Sequence, residues 1–428
     1  MSARVVVVGS GYAGLAAAWA ASRVGAKVTM LLGSAGASSL GSGAVDDVYW
    51  DARVRAAEIA PSALSAPELG EDVRALFDAL GGHRIAAAGT PLALLATTAG
   101  VLRVACGHDE ALLDVRGVAG RTVLLPRVDR AGWDADALAR CFEASPDKPE
   151  GTRFVACDAP ILRFADEERA CDADLAARHD DDARLEWLAR GLAGVVGDRR
   201  GRIAFLLGPW LGLSSARARA LSDKVGEPVG EVLSSTAGVA GLRFDAARDA
   251  LLDKLGARTV VARATRVSPS EQRFAITTTG DPARVDGDAI VVATGGLAAG
   301  GLTFSPGDAR AGAEGATRVG AAFVLSVEVP GARVTDGCDT GAPSTTHGLV
   351  LDDALWPRGA GSSVLERPGL LVGSAGRIGR GIFAAGDVVA NRHRTVLQAI
   401  AAGIAAGDAA AREALETSNR PVLPLDPP

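Results

Sequence analysis

The sequence predicts an α/β protein: a Rossmann-like domain of the ββα sandwich type, interrupted by an inserted α/β domain. Three observations predict it. A β-branched strand, Val5 to Val8, runs directly into the pattern Gly9-x-Gly11-x-x-Gly14. Much later, an apolar strand ends in Ala293 to Gly296, and a third short strand ends in Gly386 and Asp387. Strands that alternate with helices and end in small residues are typical of parallel sheets that bind nucleotides at their carboxyl edge.

The first glycine pattern predicts a phosphate-binding turn. Gly9 would form the tight turn, Gly11 would admit a pyrophosphate to the backbone, and Gly14 would let the following helix pack on the strand. A helix, Leu15 to Arg23, and a second strand, Ala26 to Leu32, complete the expected βαβ unit. The residues expected at the phosphate are Gly9, Ser10, Gly11, Ala13 and Gly14, at the positive end of the helix.

The second strand lacks the acid that usually follows it. An Asp or Glu near this point normally accepts the ribose hydroxyls of a bound adenosine, but the chain has Leu32, Gly33 and Ser34 there, and no arginine that would indicate NADP. The small-residue segment that follows predicts contacts from backbone amides and side chains to a phosphate or a flat ring; its candidates are Ser38, Ser39, Ser42 and Gly43. A surface loop without a ligand is the alternative.

The two later motifs narrow the ligand to a flavin. Thr294, Gly295 and Gly296 give a strand end that a ligand can approach closely, and Asp387 after Gly386 can accept hydrogen bonds from polyol hydroxyls. A helix starting near Leu397 would direct backbone N–H groups at one edge of a ring. The order of the three motifs is typical of flavoproteins with two dinucleotide-binding folds and a cap or substrate domain. The missing ribose acid favours FMN, with FAD as the alternative.

The middle of the chain predicts the second α/β domain. Strands are expected at 124–128, 151–156 and 202–207, and helices at 133–142, capped by Asp134 or Asp136, and at 174–192. The charged run 178–184 is interpreted as a solvated helix face. The predicted boundaries are residues 1–117 for the first part of the flavin domain, 118–240 for the inserted domain and 241–428 for the second part.

Further helical and strand features are expected outside this domain. Residues at helical spacing predict a buried helix face, namely Leu69, Val73, Leu76, Phe77 and Leu80. Strands at 259–264 and 273–279 predict a β-meander before the second glycine motif.

Composition excludes several classes of function. The 428 residues carry 45 basic and 51 acidic side chains, a net charge of −6, which does not indicate a nucleic-acid partner. No segment predicts a transmembrane helix, and the start, Met1 to Arg4, predicts no signal peptide. The five cysteines form no CxxC, so neither an iron–sulfur cluster nor another metal site is expected, and they fit the cytosol.

Beyond these motifs, the chain resembles the B-type flavoprotein subunit of the anaerobic glycerol-3-phosphate dehydrogenases, which are three-subunit respiratory enzymes. The similar segments run along most of the chain: Ser38 to Asp46, Gly89 to Leu92 with Thr97 and Thr98, Leu124 with Trp133 to Ala135, Val239 to Arg243, Ala293 to Gly296 and Ala299 to Leu302. The stretch Asn391 to Gln398 departs from the family, because it is basic where the family is rich in glycine. Gly386 and Asp387 have the general flavoprotein form.

The resemblance implies oxidation of sn-glycerol 3-phosphate to dihydroxyacetone phosphate, with electrons passing to quinone. It implies two partners, a sister flavoprotein subunit and an iron–sulfur subunit that anchors the complex, and therefore a cytoplasmic chain at the inner membrane. His393 is the first candidate for the base, and His347 is the second. Arg243, Arg392 and Arg394 are the candidates for holding the substrate phosphate or a flavin anion.

Two alternatives remain open. The protein could be a flavin electron relay or assembly partner without a catalytic site, which the few histidines favour. It could also be a stand-alone flavin oxidoreductase of the fumarate reductase type.

Overall fold

The computed structural model describes residues 3–47, 64–270, 273–306, 310–311, 317–318, 321–335 and 368–418. The helices within these ranges are α1 Tyr12–Arg23, α2 Glu71–Leu80, α3 Ala135–Glu143, α4 Asp172–Arg178, α5 Asp182–Val196, α6 Ala218–Val225, α7 Val239–Lys254 and α8 Val396–Ser418. The first twelve strands are β1 Arg4–Val8, β2 Lys27–Leu31, β3 Ala44–Val45, β4 His83–Ile85, β5 Ala93–Ala96, β6 Leu102–Ala105, β7 Gly107–Asp109, β8 Thr122–Arg127, β9 Arg153–Asp158, β10 Ile203–Leu207, β11 Val229–Glu231 and β12 Arg258–Val260. The others are β13 Ala264–Ser270, β14 Arg273–Thr278, β15 Arg284–Gly287, β16 Ala289–Val292, β17 Leu302–Pro306, β18 Arg310–Ala311, β19 Thr317–Arg318, β20 Ala321–Leu325, β21 Arg333–Thr335, β22 Gly369–Leu371, β23 Arg377–Gly379 and β24 Ile382–Ala384.

The chain divides into two compact units. Unit 1 comprises Met1–Ala37 and Leu251–Pro428, and unit 2 comprises Ser38–Ala250. The sequence prediction placed the changes of domain after residues 117 and 240 instead. The chain leaves unit 1 much earlier because β3 pairs antiparallel with β7, which brings the segment after Ala37 into unit 2.

Unit 1 is built on a six-stranded sheet with the order β12-β2-β1-β16-β24-β23. Its strands are parallel except for β23, which runs antiparallel to β24. The meander β13-β14-β15 forms a second sheet, and one apolar core joins the two: Val6 and Ile290 of the large sheet belong to the same buried cluster as Val267, Ile276 and Val285 of the meander. The β-branched runs predicted as strands therefore pack as buried layers.

Two helices of unit 1, α1 and α8, pack against each other through small residues. A Cβ atom at Gly403 of α8 would lie 2.2 Å from the carbonyl oxygen of Ala13, and one at Gly407 would lie 2.2 Å from that of Ala17. Such distances leave no room for a side chain. The alanine- and glycine-rich sequences of both helices are thus explained by the close approach of their backbones.

Unit 2 contains a four-stranded parallel sheet with the order β11-β10-β8-β9. The predicted strands at 124–128, 151–156 and 202–207 correspond to β8, β9 and β10. Asp134 caps α3, accepting a hydrogen bond of 2.9 Å from the Ala137 N–H group, as one of the two predicted caps. The predicted apolar face of α2 is also found: Val73, Leu76, Phe77 and Leu80 are buried.

One predicted helix of unit 2 is wrong. The single helix expected at 174–192 is two helices, α4 and α5, because Asp181 ends the first run and caps the second by accepting from the Arg184 N–H group at 2.8 Å. The run 178–184 is not a uniformly solvated face either. His179 and Arg184 are buried, and Arg184 forms an ion pair of 2.8 Å with the buried Glu167.

The strand predicted at 259–264 is also divided. Its first part is β12, which pairs with β2 at the edge of the large sheet, and its end is the start of β13 in the meander. The segment between them, residues 261–263, crosses from one sheet to the other.

Candidate functional site

The three glycine motifs lie at neighbouring strand ends of unit 1. The strands β1, β16 and β24 are adjacent and parallel in the large sheet, and each motif follows the carboxyl end of its strand. Backbone hydrogen bonds fix them side by side: the Ala293 N–H donates to the Val8 carbonyl at 2.8 Å, and the Ala385 N–H donates to the Val292 carbonyl at 3.0 Å. Residues that are far apart in sequence therefore line one edge of one sheet, where parallel α/β sheets bind ligands.

The turn from β1 to α1 requires its first and third glycines. Gly9 has a φ of +110°, and a Cβ there would lie 2.2 Å from the Ala293 carbonyl oxygen. A Cβ at Gly14 would lie 2.0 Å from the Gly9 carbonyl oxygen, so a side chain would push the helix off the turn. These two roles agree with those predicted for the first and third glycines of the pattern.

The start of α1 leaves backbone donors for an anion. Gly11 caps the helix in an extended conformation, with φ −71° and ψ −175°, and makes no side-chain capping bond. The first turn contains no acidic side chain. Helix N–H groups in the first turn have no partner within the helix and carry partial positive charge. A phosphate group at this end would therefore be stabilised.

The second glycine motif, Thr294 to Gly296, lies against the third, Gly386 and Asp387. Gly295 and Gly386 have φ angles of +79° and +75°, which glycine adopts without strain. A Cβ at Gly296 would lie 3.0 Å from the Asp387 carbonyl oxygen and 3.3 Å from a terminal nitrogen of Arg394. A Cβ at Gly386 would lie 2.6 Å from the Cβ of Ala13 in α1. The glycines thus bring Asp387, Arg394 and the first turn of α1 into one neighbourhood.

Asp387 is the acidic group of this neighbourhood. Burial raises the pKa of Asp387 to about 6, and the positive charge of Arg394 acts in the opposite direction. Arg394 also donates a hydrogen bond of 2.7 Å to the Pro368 carbonyl oxygen. A carboxyl group with this pKa can accept hydrogen bonds as the anion, or donate one when protonated, near neutral pH.

The backbone of Arg263, which the sequence did not indicate, lies beside the end of β2. Gly33 and Ser34 are exposed there, and a Cβ at Gly33 would lie 3.3 Å from the Cα of Arg263. Because Arg263 follows β12, which pairs with β2, only the sheet order reveals it. The backbone of Arg263 thus borders the place where the ribose acid is usually found.

The serine-rich segment lies in unit 2, where it packs on the start of α7. The Ser39 hydroxyl donates to Asp245 at 2.8 Å, and a Cβ at Gly241 would lie 1.9 Å from the Ser39 carbonyl oxygen. The Ser234 N–H donates to the Ser42 carbonyl at 3.2 Å. The segment is therefore held within its own unit. That Ser38, Ser39, Ser42 and Gly43 bind a cofactor stays a prediction.

Arg243 is buried in unit 2, and each of its three guanidinium nitrogens donates a hydrogen bond. Its Nε donates to Asp109 at 2.8 Å, and its two terminal nitrogens donate to the Gly212 carbonyl at 2.8 Å and to Glu231 at 2.7 Å. Burial raises the pKa of Glu231 to about 7, although the positive charge of Arg243 acts against this. The arrangement favours a structural role for Arg243 over the predicted contact with a phosphate.

The remaining catalytic candidates differ in position. His393 and Arg392 are exposed in the segment between β24 and α8, and Arg394 is the one of the three that reaches the glycine motifs. His347 lies outside the described residues. No group of three or more His, Cys, Asp or Glu side chains in the described part of the chain could hold a metal ion. No helix described is long and apolar enough to cross a membrane.

Comparisons with known proteins identify no family. No family profile and no curated protein matches the chain. Among solved structures, an oxidoreductase from Agrobacterium tumefaciens is 12% identical, with 97% of this chain and 99% of that chain covered and a TM-score of 0.24. The anhydrotetracycline hydroxylase OxyS from Streptomyces rimosus is 11% identical over 72% of this chain and 36% of its own, with a TM-score of 0.25. AlpK is 13% identical over 97% and 63%, with a TM-score of 0.33.

The chain spans 36% and 63% of the length of the last two structures. At this level of similarity the alignments carry no argument about function. The case for a function therefore depends on the residues of the chain itself.

Proposed function

We propose that unit 1 binds a flavin at the ends of β1, β16 and β24 and that the chain is a flavin-dependent oxidoreductase. The observation that carries this proposal is the adjacency of three glycine-lined strand ends, with the carboxyl group of Asp387 beside them. The cradle fits such a group, because its glycines hold the three strand ends close together and the start of α1 offers donors to a phosphate. Asp387 would accept hydrogen bonds from the ribityl hydroxyls.

FMN is the flavin that we propose, with FAD as the alternative. FMN ends in a single phosphate, which the N-terminus of α1 suits. FAD has an adenosine whose ribose is usually held by a carboxylate after β2, and the described residues have Gly33, Ser34 and Arg263 at that place.

A bound flavin would supply the chemistry of hydride acceptance. The chain would supply the positions and the proton transfer. Arg394 lies beside Asp387 and would hold an anionic group of the ligand or substrate, while His393 is the first candidate for the base that takes the hydroxyl proton. His347 and Arg392 stay candidates as well.

The substrate that we propose is sn-glycerol 3-phosphate, oxidised to dihydroxyacetone phosphate. The support is the resemblance to the B-type flavoprotein subunit of the anaerobic glycerol-3-phosphate dehydrogenases. By the same resemblance the chain would pass its electrons to a sister flavoprotein subunit and an iron–sulfur subunit at the inner membrane, from the cytoplasmic side.

A flavin electron relay is the second candidate. The engagement of Arg243 with Asp109 and Glu231 favours it, because this takes one predicted phosphate ligand out of the substrate site. A relay would need the cofactor cradle of unit 1 but no group that takes a proton from a substrate.

Oxidation of glycerol 3-phosphate by the purified chain, with an artificial electron acceptor, tests the proposal. We expect flavin-dependent turnover, and a loss of at least about tenfold in kcat/KM for Arg394→Gln, about 1.4 kcal/mol of transition-state binding. Arg412→Gln, on the exposed side of α8, is the matched control and should match the wild type. A chain that contains flavin but has no turnover without its partners would favour the relay.

A further inference from the structure

Unit 2 contains a cavity of about 910 Å³ that no sequence motif predicted. The buried residues His108, Leu112, Leu113 and Val118 lie on its walls, and the exposed Arg84 lies at its rim. Cavities of several hundred Å³ in which polar groups converge are typical of small-molecule sites. All the lining residues belong to unit 2, and none of them is a residue of the three glycine motifs.

His108 provides a hydrogen-bond acceptor on the cavity wall. Its Nδ1 lies 2.8 Å from the Asp109 carbonyl oxygen. Since a carbonyl only accepts, Nδ1 carries the proton, and Nε2 of the neutral ring is an acceptor. Burial lowers the pKa of His108, so the ring stays neutral near pH 7. Among the residues that the structure describes, none hydrogen-bonds Nε2.

Asp114 provides a second acceptor near His108. Its Oδ1 accepts from the Leu94 N–H at 2.9 Å and from the Arg116 N–H at 3.0 Å, which fixes the carboxylate. Its Oδ2 has no hydrogen-bond partner in the described part of the chain. Both Asp114 and His108 line the cavity. Two acceptors in one cavity suit a ligand group with several donors, such as an ammonium.

The rim carries charges of both signs. Arg84 and Arg219 are exposed there, together with Glu110 and Asp223. A third arginine, Arg121, is neutralised by Glu227 at 3.1 Å. The rim therefore has no net charge that would attract a polyanion or a polycation, whereas a guanidinium can bind one carboxylate.

We propose that this cavity binds a free L-amino acid. The ammonium group lies on Nε2 of His108 and Oδ2 of Asp114, the carboxylate lies toward Arg84 or Arg219, and the side chain lies against Leu112, Leu113 and Val118. This site is independent of the flavin, so it stands or falls separately from the function proposed for unit 1.

Calorimetric titration of the full chain with the twenty common L-amino acids tests the site. We expect at least one apolar amino acid to bind with a Kd below about 1 mM. Its 2-hydroxy acid analogue, which lacks the ammonium group, should bind at least about tenfold more weakly. Failure of all twenty to bind, or equal binding of the hydroxy acid, would overturn the proposal.

Two variants locate the binding. Asp114→Asn keeps Oδ1 for the Leu94 and Arg116 N–H groups but replaces the free oxygen, and His108→Phe removes the ring acceptor. Each should weaken binding of the amino acid at least about tenfold, while circular dichroism matches the wild type. Asp158→Asn, whose side chain is 89% exposed outside this cavity, is the control and should bind normally. Wild-type affinity in both folded variants would contradict the placement.

Discussion

At the scale of single residues, Asp387 is the group whose titration follows directly from the structure. Because burial raises the pKa of Asp387 to about 6, the fold favours its protonated form. The protonated carboxyl group therefore stabilises the folded state. This contribution to the free energy of unfolding is fully present below the unfolded pKa, near 3.8, and is lost as the pH rises through about 6. Ionisation at neutral pH thus costs the flavin-free protein on the order of 1–3 kcal/mol.

The substitution Asp387→Asn should remove that pH dependence. We expect the free energy of unfolding of the flavin-free chain to exceed that of the wild type at pH 7 and the two to converge near pH 4. Denaturant titrations at several pH values between about 4 and 7 measure this difference in the free energy of unfolding. Asp408→Asn, at the half-exposed ion pair with Arg412 on α8, is the control. If both variants keep the wild-type pH slope, the pKa of Asp387 is not raised.

At the scale of elements, the contact between α1 and α8 holds the phosphate-binding turn in place. Gly407→Ala would put a Cβ 2.2 Å from the Ala17 carbonyl oxygen, and we expect a loss of about 1–3 kcal/mol in the free energy of unfolding. Gly194→Ala is the matched control, because Gly194 lies in the last turn of α5 with open space around it. That variant should gain about 0.5–1 kcal/mol.

Thermal and urea unfolding of Gly407→Ala and Gly194→Ala measure the two changes in the free energy of unfolding. If Gly407→Ala is as stable as Gly194→Ala, the two helices of unit 1 do not approach as closely as described. The opposite signs expected for the same chemical change make the comparison independent of general helix propensity.

At the scale of the whole molecule, local patterns predicted much of unit 1. The turn at Gly9 and the strand ends at Gly296 and Gly386 follow from short-range rules of backbone conformation, and so does the helix cap at Asp134 in unit 2. Each motif was predicted to follow the carboxyl end of a strand. Because β1, β16 and β24 are parallel neighbours, these three ends lie at the same edge of the large sheet.

Features that depend on distant partners were not predictable. Arg243 was predicted to hold a phosphate or a flavin anion. In the structure it donates to Asp109 of β7 and Glu231 of β11, which lie far from it in sequence. Arg263 reaches Gly33 only through the pairing of β12 with β2. Long-range pairing, which a single sequence does not display, decided each case.

The flavin content of the purified chain tests the central claim most directly. Flavin released by denaturation and separated by chromatography should be FMN in near-stoichiometric amount. Gly11→Val should lose it while remaining folded, because the φ and ψ of Gly11 suit any residue, whereas the glycine pattern assigns Gly11 to the close approach of a phosphate. Bound FAD would overturn the choice of FMN alone. A folded wild-type chain that neither contains nor takes up FMN or FAD would contradict the account.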